Sequence, residues 1–111
     1  MSNYYLKKAK NAQFYFLLKA ANGFTILTSE TYVSKQGCKD GIESVKKHSP
    51  TEANYRRLKA TNGQHYFNLV AANYQVIGTS EMYNSTSAME NGIDSVKANG
   101  PGAGVVDETV N

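Results

Sequence analysis

A single cysteine, Cys38, leaves the chain without any possible intrachain disulfide. No stretch approaches the roughly 20 apolar residues needed to span a bilayer, so no membrane partner is expected. The first residues, Met1-Ser2-Asn3-Tyr4-Tyr5-Leu6-Lys7-Lys8, lack the apolar run of a secretory signal. Together these features lead to the expectation of a reduced, cytoplasmic protein. The Asn84-Ser85-Thr86 sequon then carries no meaning, because glycosylation requires export. Charge of one sign is also scarce. The net charge is only +3, although it is unevenly spread. Residues 1–53 hold eight lysines against Glu30, Asp40, Glu43 and Glu52; residues 54–111 hold Arg56, Arg57, Lys59 and Lys97 against five acids. Such asymmetry steers encounters with an anionic partner and leaves the fold unaffected.

What is present is a globular composition, 41% hydrophobic and 19% charged, in 111 residues. A chain of that size forms one domain and buries roughly two thirds of its unfolded surface. It also contains a repeat. Residues 4–50 laid over residues 55–101 at a constant offset of 51 match at 23 of 47 positions without gaps. The matches form blocks: Tyr15-Phe16 with Tyr66-Phe67, Ala20-Ala21-Asn22 with Ala71-Ala72-Asn73, Thr28-Ser29-Glu30 with Thr79-Ser80-Glu81, and Ser44-Val45-Lys46 with Ser95-Val96-Lys97. A duplication is the only economical explanation. Residues 102–111 fall outside it and read as a C-terminal tail, in which Val105-Val106 has the character of a short edge strand.

Each copy reads as three strands and a helix. The strands are expected near 4–9, 13–20 and 24–29, and again near 55–60, 64–71 and 75–80. The second strand alternates: Phe16, Leu18 and Ala20 share one face, as do Phe67, Leu69 and Ala71. Tyr15, Leu17 and Lys19, with Tyr66, Asn68 and Val70, share the other. Asn22-Gly23 predicts a two-residue type I′ hairpin, which Asn73-Tyr74 would strain or change. The helices begin after Ser34 and Ser85, which suit N-caps, and end before Pro50 and Pro101. Cys38, Ile42 and Val45, and then Met89, Ile93 and Val96, form a narrow apolar stripe. Gly41 and Gly92 sit mid-helix, where close packing of the helix backbone on the sheet accounts for them. One copy alone has a marginal core. Two copies related by a pseudo-twofold axis predict an α+β fold with both helices on one face of a six-stranded antiparallel sheet.

The strings Leu18-Lys19-Ala20-Ala21-Asn22-Gly23, Ile26-Leu27-Thr28-Ser29-Glu30, Gly41-Ile42-Glu43-Ser44-Val45-Lys46-Lys47 and Ile77-Gly78-Thr79-Ser80-Glu81-Met82-Tyr83 resemble the YegP-like family of bacterial proteins of unknown function. The match spans both copies in order. The resemblance implies a duplicated β3-α fold in one sheet, with exchange of terminal strands between copies as one arrangement. It also implies homologues that carry one copy and pair. It implies no activity, substrate or catalytic residue. Tyr74 and Val70 depart from the family pattern, which bears on turn type and surface charge.

No catalytic or cofactor constellation stands out, and neither a cofactor nor a metal is expected. His48 and His65 are not repeated and have no third ligand at metal spacing. Cys38 takes the helix position of Met89, as a small core hydrophobe does. The duplicated Thr-Ser-Glu-x-Tyr, comprising Thr28, Ser29, Glu30 and Tyr32 with Thr79, Ser80, Glu81 and Tyr83, sits where strand passes to helix. It could cap the loop or line two equivalent pockets. The second candidate is the sheet face away from the helices, with Tyr15, Lys19 and Tyr66. It could meet a protein partner, a second copy, or nucleic acid. A non-enzymatic binding or interaction module with two equivalent surfaces is therefore expected. Its rivals are a small-molecule binder or small enzyme built on the duplicated loops, and a weak nucleic-acid binder.

Overall fold

Four times in this chain an alanine is followed two residues later by an asparagine, and each time the chain reverses in the same way. Ala9, Ala20, Ala60 and Ala71 close onto Gln13, Phe24, Gln64 and Gln75 by backbone hydrogen bonds of 2.7–3.0 Å. In each loop the asparagine Oδ1 accepts from the backbone N–H two residues on, an Asx turn that fixes the reversal. Three residues therefore occupy every loop, and only the last has positive φ: Ala12, Gly23, Gly63 and Tyr74, at +67° to +87°. The two-residue type I′ turn expected at Asn22-Gly23 is not formed. The asparagine bond holds Asn22 and Asn73 at negative φ, and a left-handed residue after the turn sets the strand twist instead. Tyr74 adopts that conformation despite its Cβ.

The computed structural model describes residues 2–109. Among them the order is β1 (Asn3–Lys8), β2 (Phe14–Lys19), β3 (Thr25–Ser29), α1 (Lys35–His48), a short 3-10 turn (Glu52–Asn54), β4 (Tyr55–Lys59), β5 (His65–Val70), β6 (Val76–Thr79), α2 (Thr86–Asn99) and β7 (Gly104–Asp107). Both helices start where expected. The Ser34 and Ser85 hydroxyls accept from the N–H groups of Gly37 and Ala88, each at 3.0 Å.

The strands form a single sheet in the order β4-β5-β6-β3-β2-β1-β7. The two repeats join at β3 and β6, where Thr28 faces its own equivalent Thr79 across the pseudo-twofold axis. The sheet has one strand more than the six expected, and it is mixed. β7 runs parallel to β1, with Val105 opposite Tyr4 and Val106 opposite Tyr5. A tail that leaves the end of α2 near β1 meets an open edge there, and pairing satisfies backbone groups that would otherwise face water. The first strand of each repeat stays with its own second strand, so terminal exchange is confined to β7.

Both helices cover the same face, over Phe16, Leu18, Phe67 and Leu69, and the stripes of Cys38, Ile42, Val45, Met89, Ile93 and Val96 are all buried there. Each helix packs on strands of both repeats, so the core is continuous across the axis. Two reciprocal hydrogen bonds reinforce this. The buried Tyr4 hydroxyl donates to the Gly100 carbonyl at the end of α2, and the Tyr55 hydroxyl donates to the Ser49 carbonyl at the end of α1, both at 2.7 Å. Helix C-termini leave carbonyls without intrahelical partners, and here each is satisfied by a tyrosine of the other repeat. Burial pushes both tyrosine hydroxyls well above their ordinary titration range.

The repeats are not identical at the axis. Leu27 is fully buried, while its equivalent is Gly78, where an added Cβ would come within 2.7 Å of the Leu27 side chain. Leucine at both positions would place two side chains in one volume. Gly41 and Gly92 make room first for a loop tyrosine. A Cβ at either would strike the hydroxyl of Tyr32 or Tyr83, and at Gly41 it would also come within 3.1 Å of Phe16 in β2, so the sheet presses on α1 as well.

Candidate functional site

The Thr-Ser-Glu-x-Tyr loops pull their own residues in three directions. Thr28 and Thr79 point to the helix-free face, where the Thr79 hydroxyl donates to Asn68 at 2.9 Å. Ser29 and Ser80 turn inward and are buried. Each serine Oγ accepts from the backbone N–H of Phe16 or Phe67, at 2.8 and 2.9 Å, and donates to the carbonyl of Glu30 or Glu81, at 2.7 and 2.8 Å. These hydroxyls hold the loop closed, with the proton of each committed to a backbone carbonyl. Glu30 and Glu81 are left exposed. The chain then folds back, and Tyr32 and Tyr83 exchange two backbone hydrogen bonds with Phe14 and His65. Tyr32 stacks on Phe16 with ring centroids 6.5 Å apart. Partial burial raises both hydroxyls' pKa, the nearby Glu30 and Glu81 charges adding to it.

Each Glu–Tyr pair opens onto a cleft whose opposite wall belongs to the other repeat. The first cleft, of about 560 Å³, sets Glu81 and Tyr83 against the β2–β3 hairpin with Asn22 and Phe24; Asn91 and Ser95 of α2 line its helix side. The second, of about 570 Å³, sets Glu30 and Tyr32 against the β5–β6 hairpin with Asn73 and Gln75; Ser44 of α1 is on its helix side. The clefts are pseudo-symmetric equivalents, and neither exists within one repeat. No lysine, arginine or histidine lines either one. Among the described residues, neither Glu30 nor Glu81 has an ion-pair partner. Each cleft thus offers one uncommitted carboxylate and a tyrosine ring. Their rims differ: Phe24, 72% exposed, stands where the second cleft has Gln75.

The other predicted residues lie elsewhere. Tyr15, Lys19 and Tyr66 are half-buried on the helix-free face and line neither cleft, and Lys19 Nζ sits 5.2 Å from the Tyr5 ring. Val70, expected to be exposed beside them, is buried: a bulge between Leu69 and Val70 pairs it with Val76, and the two apolar side chains shield each other. Cys38 is fully buried and its thiol is pushed up to about 11 by that burial, which keeps it protonated and unreactive. His48 Nδ1 lies 2.8 Å from the Ser44 carbonyl of its own helix. Among the described residues, no three histidine, cysteine or acidic side chains converge as a metal site would require. No helix is long and apolar enough to cross a membrane.

Residues 9–55 and again 58–107 match the family described as a domain of unknown function, DUF1508. The chain belongs to the DUF1508 family. Its relatives in that family include a UPF0339 protein of Shewanella oneidensis, 54% identical over 110 residues and covering 98% of this chain and all of the relative. The UPF0339 protein YegP of Escherichia coli K12 is 53% identical over 104 residues, 94% of each chain. Two solution NMR structures of DUF1508 relatives share the fold. The Shewanella oneidensis protein SO3888 superposes with a TM-score of 0.92 at 54% identity, over 97% of this chain and 92% of that one. YegP from E. coli gives 0.94 at 50% identity, over 99% and 95%. The latter is described as a protein of unknown function, so the DUF1508 family supplies a fold and no activity.

The cleft walls were hidden from sequence reasoning. Asn22, Phe24, Asn73 and Gln75 read as turn residues, and only the joining of the sheets carries them to the other repeat's loop. The one signal was the recurrent Ala-x-Asn, which marks the hairpins without saying what they face.

Proposed function

We propose that this protein is a non-enzymatic binding module that presents two equivalent clefts to cation-bearing ligands. What supports this is the pairing, in each cleft, of an unpartnered carboxylate with a tyrosine, in walls that carry no basic residue while the chain as a whole is at +3. A concave surface of mixed polar and apolar residues suits recognition of a compact polar ligand, and an ammonium or guanidinium group supplies the missing countercharge. Catalysis has less to stand on. The repeated serine hydroxyls are committed to the backbone on both sides, and the one thiol is buried and protonated. A reducing, cytoplasmic setting fits that lone thiol.

Agmatine, with a guanidinium at one end and an ammonium at the other, is a suitable probe. An NMR titration is expected to move the amide signals of residues 30–32 and 81–83 together, with two sites per chain. Glu81→Gln removes the first site and Glu30→Gln the second, each leaving the other intact. No shift at either loop at millimolar agmatine would reject the proposal.

A further inference from the structure

The helix-free face of the sheet has a different chemistry from the clefts. Register places Tyr5, Lys7, Tyr15 and Lys19 from the first repeat, and Arg56 and Tyr66 from the second, on that one face. The rings are half-buried, so each is braced at its base and offers an exposed π surface. No strand residue of the face is acidic. Among the described residues the carboxylate paired with a cation of this face is Glu108, just past β7, which meets Lys7 at 2.7 Å. Among the described residues the other carboxylates lie in the clefts, along the helices, near the β4 edge and at the end of β7, where Asp107 pairs with Lys35 of α1.

From this placement we infer that the helix-free face binds single-stranded nucleic acid, with tyrosine rings stacking on unpaired bases and Lys7, Lys19 and Arg56 contacting phosphates. The inference is independent of the cleft ligand. Tyr5 and Tyr15 are diagonal neighbours on adjacent strands, about 7–8 Å apart, a spacing that successive bases of an extended strand can span. Tyr66 is the repeat equivalent of Tyr15 and stands three strands and four residues of register away, about 20 Å, so it engages a base further along. A duplex would hide its base faces from these rings, which is why the ligand is single-stranded. Lys19 Nζ over the Tyr5 ring and Arg56 over Tyr74 keep both cations at the surface plane rather than folded onto a carboxylate. Glu108 competes with phosphate for Lys7, so the tail weakens binding.

The test is fluorescence anisotropy with 5′-labelled 20-nucleotide oligo-dT and oligo-U. Binding is expected at low salt, weakening with a log–log slope of about −2 for three phosphate contacts. Tyr15→Ala and Lys19→Glu each weaken it about tenfold. Tyr15→Phe, which keeps the ring, leaves it unchanged, and a retained thermal unfolding transition for Tyr15→Ala separates lost stacking from misfolding. Glu108→Gln tightens binding about two- to threefold, one competing carboxylate being removed. Glu81→Gln, in the cleft, leaves it unchanged. Absence of binding at low salt, or binding indifferent to Tyr15→Ala and Lys19→Glu, overturns the inference. So does light scattering that finds a dimer converted to monomer by Tyr15→Ala, since the face would then be covered by a second copy.

Discussion

Residues 4–50 and 55–101 share most buried positions. Their departures fall at the pseudo-twofold axis, at the hairpin tips, on the helix-free face and in the first turns of the helices; in the core, buried Leu6 becomes exposed Arg57. Phe16, Leu18, Ile42 and Val45 have Phe67, Leu69, Ile93 and Val96 as exact counterparts in type and in burial. At the axis, Leu27 meets Gly78, a difference that a pair of identical chains could not sustain. At the tips, Gly23 and Gly63 hold the left-handed position comfortably, whereas Ala12 and Tyr74 hold it against their Cβ. On the open face, Tyr5, Lys7 and Lys19 become Arg56, Leu58 and Val70, so the first repeat carries most of its positive charge. A fused duplication frees each half to specialise wherever symmetry had forced two like side chains together.

The sharpest way to break the comparison is at the axis. Leu27→Ala leaves a cavity that Gly78 cannot fill, and should cost about 2–5 kcal/mol in urea unfolding. The converse change, Gly78→Leu, restores sequence symmetry, yet it should destabilise by about 1–3 kcal/mol through overpacking. Where the repeats are alike, their mutants should be alike. Tyr4→Phe and Tyr55→Phe each leave a buried helix-end carbonyl unsatisfied, a loss of about 1–3 kcal/mol that should agree between the two. Unequal losses would mean that the crossed helix contacts are not equivalent. A similar cost, about 1–3 kcal/mol, is expected for Gly92→Ala despite the better helix propensity of alanine, because the Cβ collides with the Tyr83 hydroxyl. Tyr83→Phe in the same chain should recover part of it.

Much of this arrangement was legible in the sequence, for reasons that are local. The serine caps, the prolines beyond the helix ends and the i, i+4, i+7 stripes are short-range signals, and α1 and α2 form within a residue or two of where they place them. The turn type was misread because Asn-Gly was judged by its glycine, while the asparagine side chain, bonded to the N–H of Phe24, sets the conformation. β7 was visible only as a doubtful edge because its partner, β1, is about a hundred residues earlier. The clefts lie further still from local patterns, since each is made by two segments that no periodicity connects. Of the candidate residues, Glu30, Tyr32, Glu81 and Tyr83 do come together with a concave surface, and Ser29 and Ser80 are spent on the loop.

Smaller effects sharpen the remaining differences. Tyr74→Gly should stabilise by about 1 kcal/mol, since glycine accepts the left-handed backbone that tyrosine resists, less whatever the Arg56 contact at 5.9 Å contributes. A rise in thermal midpoint checks it. Smallest is the ion network peculiar to the second repeat's edge, where Arg57 and Lys97 both reach Glu52 and hold its carboxyl down at about 2. A carboxyl lowered on folding stabilises above its ordinary range near 4.5 and loses that contribution as pH falls from there towards 2. Glu52→Gln should therefore flatten stability against pH across that window, with a small loss at pH 7 that vanishes towards pH 2, since exposed pairs are weak.

Native-state hydrogen exchange measures most directly whether the halves share one core. The slowest amides of β2, beside Phe16 and Leu18, and of β5, beside Phe67 and Leu69, should open with one common free energy equal to that of global unfolding. If one set opened more than about 1 kcal/mol below the other, a repeat would be unfolding by itself, and the account of a pooled core would be wrong.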